Sequence, residues 1–281
     1  MPELPEVESV RRQLLPLVVG RTVVRAERDP YPARRIGDVA RAVDGRIADV
    51  ARRGKFLLLP LIGSAPAHPS ELVIHLGMSG ILRVLDADDP EGHVGAPGTH
   101  VRVRLQLDDG QALVLRDARR FGRFTVIDPG DHASAAPALA TLGPEPLTDD
   151  FTLDGFARGL ASSRTSVKAR LLDQRLVAGV GNIYADESLW RAGIHPDARR
   201  VGRTRAARLH TAVREVLAAA VEREGTSFRD YQLVNGQSGR YLTELDAYGR
   251  AGQPCRRCGS TMRASVVAQR GTTHCPGCQR R

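Results

Sequence analysis

Apolar and polar positions alternate through the first half of the chain and recur at helical spacing through much of the second. Val101, Val103, Leu105 and Leu107 point to one side of an extended segment, Asp109-Gly110 makes a turn, and Leu113 to Leu115 resumes the apolar run. Lys55-Phe-Leu-Leu-Leu59 and Leu72-Val-Ile74 read as buried strands. The strand pattern covers Thr22 to Ile127, with a short helix expected around Asp38 to Val43. Ahead of it a helix is expected from Pro5 to about Val19. Proline suits a first helical position, and Glu6 and Glu8 complement the positive end of the helix dipole. This half reads as a β-sandwich or barrel with flanking helices. Residues 128–150, rich in Pro, Ala, Gly and Asp, read as a linker. The period then becomes helical over Asp154–Ala161, Val167–Leu176, Ile183–Ala192 and Arg203–Glu224, with Gly193 and Pro196 placed as stop signals. A polar, glycine-bearing segment from Gly225 to Gly252 precedes the last module.

That last module changes the picture most. All four cysteines lie in Cys255-x2-Cys258-x16-Cys275-x2-Cys278. Two close thiolate pairs can wrap one tetrahedral Zn²⁺ with no coordination position left open, so the expected cofactor is one structural zinc ion. Arginines flank the module at 256, 257, 263, 270, 280 and 281, which favours docking on nucleic acid over a plain C-terminal cap. The whole chain of 281 residues carries a net charge of +9, which suits a polyanionic partner as well as a solvated basic surface. Of its 41 basic residues only Lys55 and Lys168 are lysines, which marks both for roles that a compact ammonium fills better than a guanidinium. No apolar run is long enough to span a membrane. Clustered cysteines and an acidic N-terminus argue against a secreted, disulfide-built protein, so a cytoplasmic, nucleoid-associated location is expected.

Three further segments carry candidate chemistry. Gly179-Val-Gly-Asn182 lies between two expected helices, either as a simple connection or as a phosphate-approaching turn with Asn182 as an added donor. Asp117-Ala-Arg-Arg-Phe-Gly122 places a scarce aromatic among arginines, and Leu76-Gly-Met-Ser-Gly80 places Met78 between glycines; either is core or a wedge for a base stack. At the terminus, Met1-Pro2-Glu3 would expose a secondary amine once Met1 is removed. A free α-amine has a pKa near 8, and as a nucleophile it leads straight to an iminium, with Glu3 adjacent to move protons.

Together these segments resemble the formamidopyrimidine-DNA glycosylase family along nearly the whole chain. Pro2-Glu-Leu-Pro-Glu-Val-Glu8, Arg53-Gly-Lys-Phe56, His75-Leu-Gly-Met-Ser-Gly80, Arg119-Arg-Phe-Gly122, Gly179-Val-Gly-Asn-Ile-Tyr-Ala185 and the cysteine module stand in that family's order. The resemblance implies an α+β multidomain fold. Its parts are an N-terminal catalytic β-sandwich with flanking helices (1–130), a linker (131–150), a helix–two-turn–helix domain with a lesion-capping segment (151–250) and a zinc finger (251–281). It implies a bifunctional glycosylase and lyase of base excision repair, monomeric, acting on duplex DNA that contains oxidised purines such as 8-oxoguanine and formamidopyrimidines, in a cleft between the domains. Pro2 would form the Schiff base, Glu3 would donate a proton, Lys55 would sit at the lesion, and Arg270 would join this set through a phosphate contact. Met78, Arg119 and Phe121 would fill the gap left by the everted nucleotide, with His100, Lys168 and Asn182 completing the DNA contacts. The strand would be cut by β,δ-elimination. Two departures stand out: His274 occupies a position before the third cysteine where an aromatic is common, and Gln232 to Arg250 is less distinctive. The related endonuclease VIII class, selective for oxidised pyrimidines, is the nearest rival; Met78 and Arg119-Arg-Phe121 favour the purine branch. A catalytically silent DNA-binding protein would need neither Pro2, Glu3 nor Lys55.

Overall fold

The computed structural model describes residues 1–30, 35–63, 69–226, 234 and 241–281. By contacts the chain forms two compact units, one of Met1–Ala140 with Glu224–Arg240, the other of Thr141–Arg223 with Tyr241–Arg281.

The first unit opens with helix α1 (Leu4–Val18), close to the expected span. The strands follow: β1 (Val23–Arg28), β2 (Arg46–Ile47), β3 (Ala51–Arg53), β4 (Phe56–Ile62), β5 (Ser70–His75), β6 (Gly80–Asp86), β7 (Val101–Leu107), β8 (Gln111–Asp117) and β9 (Arg123–Ile127). They make two antiparallel sheets, one in the order β1-β7-β8-β6 and one in the order β2-β4-β5-β9 with β3 also paired to β4. The alternation seen in the sequence puts Val103, Leu105 and Leu107 of β7 on the same core as Leu57, Leu59 and Leu61 of β4, Leu72 and Ile74 of β5, and Val10 and Leu14 of α1. One apolar core thus joins both sheets and the helix, as a sandwich requires. The short helix expected at 38–43 is a single 3₁₀ turn, Val39–Ala42, because the Asp38 carboxylate accepts the Ala40 N–H and tightens the first turn. Residues 128–150 hold two one-turn helices, α2 (His132–Ala135) and α3 (Pro137–Ala140).

The second unit is helical. Its helices are α4 (Leu153–Ala161), α5 (Val167–Leu172), α6 (Asn182–Ala192) and α7 (Arg203–Glu222). Thr152 and Ser166 cap α4 and α5 by accepting the N–H groups of Gly155 and Ala169. Gly193 ends α6 in the left-handed region at φ +68°, as its place in the sequence suggested. Helix α5 stops at Leu172, before the expected Leu176. The Gln174 side chain bridges the Gly179 N–H and the Val180 carbonyl, at 2.9 and 2.8 Å, and so converts the following residues into a turn. Phe156, Leu160, Leu171, Tyr184, Leu189, Leu209, Val213 and Leu217 fill the core between these helices. The chain ends in the hairpin β10 (Arg263–Val267) and β11 (Arg270–His274), packed with Met262, Cys255 and Cys275 against Trp190. Of the less distinctive segment Gln232 to Arg250, residues 232, 233 and 235–240 lie outside the described residues.

Candidate active-site and nucleic-acid-binding residues

In the first unit, two buried carboxylates fix the chain's first residues. Glu3 and Glu6 are each 2% exposed. They form a reciprocal capping box: Glu3 accepts the Glu6 N–H, and Glu6 accepts the Glu3 N–H at 2.8 Å. The other Glu6 oxygen accepts the Thr226 N–H at 2.7 Å and its hydroxyl at 3.0 Å. Gly225, at φ +77°, leaves room for this: a Cβ there would sit 2.6 Å from the same oxygen. Pro2 is buried beside this box, while Met1 is 53% exposed. A secondary amine released at Pro2 would thus be held by an ordered backbone rather than by a fraying end.

Helix α1 also orders the turn that presents Lys55. Glu8 accepts from Arg52 at 3.0 Å, and Arg52 donates on to the Gly54 carbonyl at 3.0 Å. Gly54 takes φ +56°, and Lys55 follows it, 6% exposed. His75 stands in register opposite Phe56, ring against ring at 4.7 Å. Burial first, then the charges of Lys55, Arg123 and Arg35, push its pKa down to about 4, so the ring is neutral at physiological pH. Its Nδ1 accepts the Gly77 N–H at 3.0 Å, which places the proton on Nε2.

Met78 and Phe121, 39% and 40% exposed, sit on two loops that one carboxylate organises. Asp117, 1% exposed, accepts the Ser79 hydroxyl at 2.6 Å, the Gly122 N–H at 2.6 Å and the Arg119 N–H at 3.2 Å. The loops pack backbone to backbone, since a Cβ on Gly77 would meet the Phe121 carbonyl carbon at 2.5 Å. The Arg119 guanidinium lies 5.0 Å from the Phe121 ring centroid. His100 is exposed at φ +56° just before β7, and its carbonyl accepts the Asp117 N–H. At this exposure neither Met78 nor Phe121 is part of the core.

In the second unit, Lys168 departs from its expected place on a DNA backbone. It is 0% exposed, and its ammonium donates to Asp186 at 2.6 Å, to the Thr272 hydroxyl at 2.8 Å and to the Gly271 carbonyl at 3.1 Å. All three donors are spent inside the unit, so direct contact with a phosphate has no proton to use. The other Asp186 oxygen accepts the Thr273 N–H at 2.9 Å, and Asn182 donates to the Gly271 carbonyl at 2.9 Å. Lys168, Asn182 and Asp186 therefore pin the start of β11 to α5 and α6, and β11 begins with the exposed Arg270. Asn182 keeps a place at the α6 N-terminus, where no side chain caps the helix.

Glu187, 3% exposed, accepts the N–H groups of Asp246, Ala247 and Tyr248 at 2.8–2.9 Å and fastens that stretch to α6. Burial pushes its pKa up to about 6 against these hydrogen bonds. Sequence reasoning passed over Glu6, Asp117, Asp186 and Glu187. The Glu3/Glu6 spacing of a capping box was a usable signal, and Asp117 opened a motif already singled out.

The four cysteine sulfurs lie within 4.8 Å of one another, with Cys255–Cys278 at 3.9 Å and Cys258–Cys275 at 3.5 Å. Ligand sulfurs about 2.3 Å from a tetrahedral ion lie about 3.8 Å apart, so the cluster could hold one metal ion. N–H donors already face these sulfurs: Trp190 Nε1 and the Arg257 N–H to Cys255, both at 3.4 Å, and the Cys278 N–H to Cys275 at 3.3 Å. His274, at the divergent position, is buried edge-on against His195 at 4.5 Å.

Comparison with known proteins agrees with this geometry. Residues 1–124 match the family model described as the formamidopyrimidine-DNA glycosylase N-terminal domain, and residues 142–232 match its H2TH domain. The formamidopyrimidine-DNA glycosylase of Deinococcus radiodurans is 44% identical over 287 residues, covering 99% of this chain and 97% of its own. That of Thermus thermophilus is 47% identical, covering 99% and 98%. The crystal structure of MutM (Fpg) from Thermus thermophilus superposes with a TM-score of 0.87 at 46% identity, covering 99% and 98%. A complex between Lactococcus lactis Fpg and DNA containing an abasic site superposes with a TM-score of 0.86 at 32% identity, covering 99% and 100%.

Proposed function

This chain belongs to the formamidopyrimidine-DNA glycosylase family of DNA-binding repair enzymes, and from that membership we propose that it excises oxidised purines from duplex DNA and then cuts the strand. The observation that carries the reading is the capping box of Glu3 and Glu6, which orders the chain directly after the buried Pro2.

With Met1 removed, the Pro2 amine adds to C1′ of the damaged nucleotide. The N-glycosidic bond breaks, and its electron pair leaves with the base, which takes up a proton. The C1′–N bond becomes an iminium, with Glu3 supplying a proton to the opening sugar. The iminium acidifies C2′–H; loss of that proton expels the 3′ phosphate, and a second elimination expels the 5′ phosphate. Lys55, close enough to His75 to depress its pKa, contributes a cation at the lesion. Met78, Arg119 and Phe121 occupy the hole left by the flipped nucleotide, reducing the cost of unstacking. His100, Asn182 and Arg270 hold phosphates, whereas Lys168 acts through the β11 turn that it anchors. A zinc ion on Cys255, Cys258, Cys275 and Cys278 supplies structural crosslinking only, because all four ligands come from the chain. The protein would act as a cytoplasmic monomer on nucleoid DNA, with domains at 1–130, 151–250 and 251–281. No helix of the described residues is long and apolar enough to cross a membrane.

Borohydride reduction during reaction with an 8-oxoguanine duplex is expected to trap a covalent adduct that mass spectrometry of the crosslinked peptide maps to Pro2. Attachment at any other amine, Lys55 first, would move the nucleophile there. Faster excision of thymine glycol than of 8-oxoguanine would instead assign the chain to the pyrimidine branch.

A further inference from the structure

Where α6 ends, a cavity of about 370 Å³ opens with Arg191, Arg205, Arg208, Arg257, Arg280 and Arg281 around it. A second cavity of about 370 Å³ continues from it along α7, sharing Arg191 and Arg208. Two carboxylates pair with this group: Glu215 meets Arg191 at 3.3 Å, and Asp197 meets Arg281 at 3.7 Å. Against the six guanidiniums stand these two carboxylates and the thiolate of Cys278, so the lining stays net positive.

Two of the guanidiniums are held in place by the backbone. Arg205 donates to the Arg280 carbonyl at 2.7 Å and to the Arg200 carbonyl at 3.3 Å. Arg257 donates to the Arg191 carbonyl at 3.2 Å and stacks on Trp190, 4.3 Å from the ring centroid. Arg205 and Arg208 lie one helical turn apart on α7, a like-charge spacing that destabilises a bare helix. Burial and the neighbouring Arg208 lower the pKa of Arg205. An assembly of repelling cations with fixed geometry becomes favourable when an anion occupies it.

This cavity is separate from the phosphate contacts proposed above. Asn182 begins α6 and Arg191 lies in its last turn, nine residues later, or about 14 Å along the axis at about 1.5 Å per residue. The β11 turn with Arg270 is tied to the Asn182 end through Gly271.

We propose that this arginine-lined cavity is a second phosphate-binding site, which takes the backbone of a DNA segment other than the one bearing the lesion. Two cavities in a line suit a repeating anion. The apolar side chains lining them are confined to small residues such as Ala192, Ala207 and Ala212, which give a peptide partner no deep anchor. Holding a second segment would let the enzyme pass between DNA segments without first returning to free solution.

The test uses the full-length protein saturated with a duplex carrying a stable abasic analogue, followed by a labelled undamaged duplex read by anisotropy. The second duplex is expected to bind, with an affinity that falls as salt rises. Arg205→Ser/Arg208→Ser is expected to weaken this second binding about tenfold and lower its salt slope by about two, with single-turnover excision within about twofold of wild type. Arg208→Ser alone, which removes an exposed side chain and no backbone contact, should weaken it several-fold and serves if the double variant folds poorly. The proposal is overturned if the saturated protein takes no second duplex, or if the variants bind it as wild type does. It is also overturned if a polyglutamate peptide displaces the second duplex as well as tripolyphosphate does, since that would mark a generic cationic patch. These readings do not depend on the lyase step, so a failed borohydride trap leaves them interpretable.

Discussion

Four buried carboxylates set the positions of groups far from them in the chain. Glu6, Asp117, Asp186 and Glu187 each accept at least one backbone N–H, and their partners lie up to 220 residues away. Removing such an acceptor strands buried donors, which costs more than the bond it deletes. Asp117→Ala orphans the Ser79 hydroxyl and the Gly122 N–H. A loss of about 2–4 kcal/mol in unfolding free energy is expected by denaturant titration. Full stability in that variant would show that the two loops are held by something else. His75 gives a second prediction. An unfolded histidine takes up its proton near pH 6.5, whereas the folded ring resists until about 4. Stability from this group is therefore complete above pH 6.5 and declines as pH falls from 6.5 towards 4, by at most about 3 kcal/mol. The His75 ring resonances should show no titration between pH 5 and 8 in the free protein; an inflection near 6.5 would contradict the burial argument. These residue roles were hardly legible in the sequence. A carboxylate inside a helix looks alike whether it faces water or three amides, and only tertiary partners separate the cases.

At the scale of elements, local chemistry announced some features and hid others. The proline of α1 and the glycine ending α6 stand where their positions said they would, whereas Glu8 lies past the first turn and pairs with Arg11, Arg12 and Arg52. The β10–β11 hairpin gave no warning. Its two loop residues, Ala268 and Gln269, sit at φ +52° and +59°, a primed turn that favours Asn-Gly. Left-handed conformation costs a non-glycine residue about 1–2 kcal/mol, offset here by the Lys168, Asn182 and Asp186 bonds to the start of β11. Lys168 was legible as special from its rarity; that it points inward was not. Replacing Ala268-Gln269 with Asn-Gly should relieve about 1–2 kcal/mol of strain, seen as slower metal loss to a chelator. Loss at the wild-type rate would mean that the strain is already compensated.

Across the whole molecule, the ordered set of motifs carried the family, whereas the surface assemblies away from those motifs were invisible in one dimension. Three arginines of the α6 cavity, at 257, 280 and 281, flank the cysteine module, but nothing in the sequence joins them to Arg191, Arg205 and Arg208. Chelation of the ribbon metal is expected to loosen the hairpin and cut affinity for lesion DNA at least tenfold, without unfolding the β-sandwich unit; anisotropy and circular dichroism would check both. Undiminished affinity after metal removal would reduce the ribbon to a terminal cap. The shared anchoring of the Met78 and Phe121 loops bears on how such an enzyme surveys a genome. In the wedge role proposed for them, a probe assembled before any encounter would have its entropy settled at folding, so each undamaged pair could be interrogated and released without rebuilding the tip. Search speed would then be limited by the mechanics of the duplex rather than by the protein's own rearrangement.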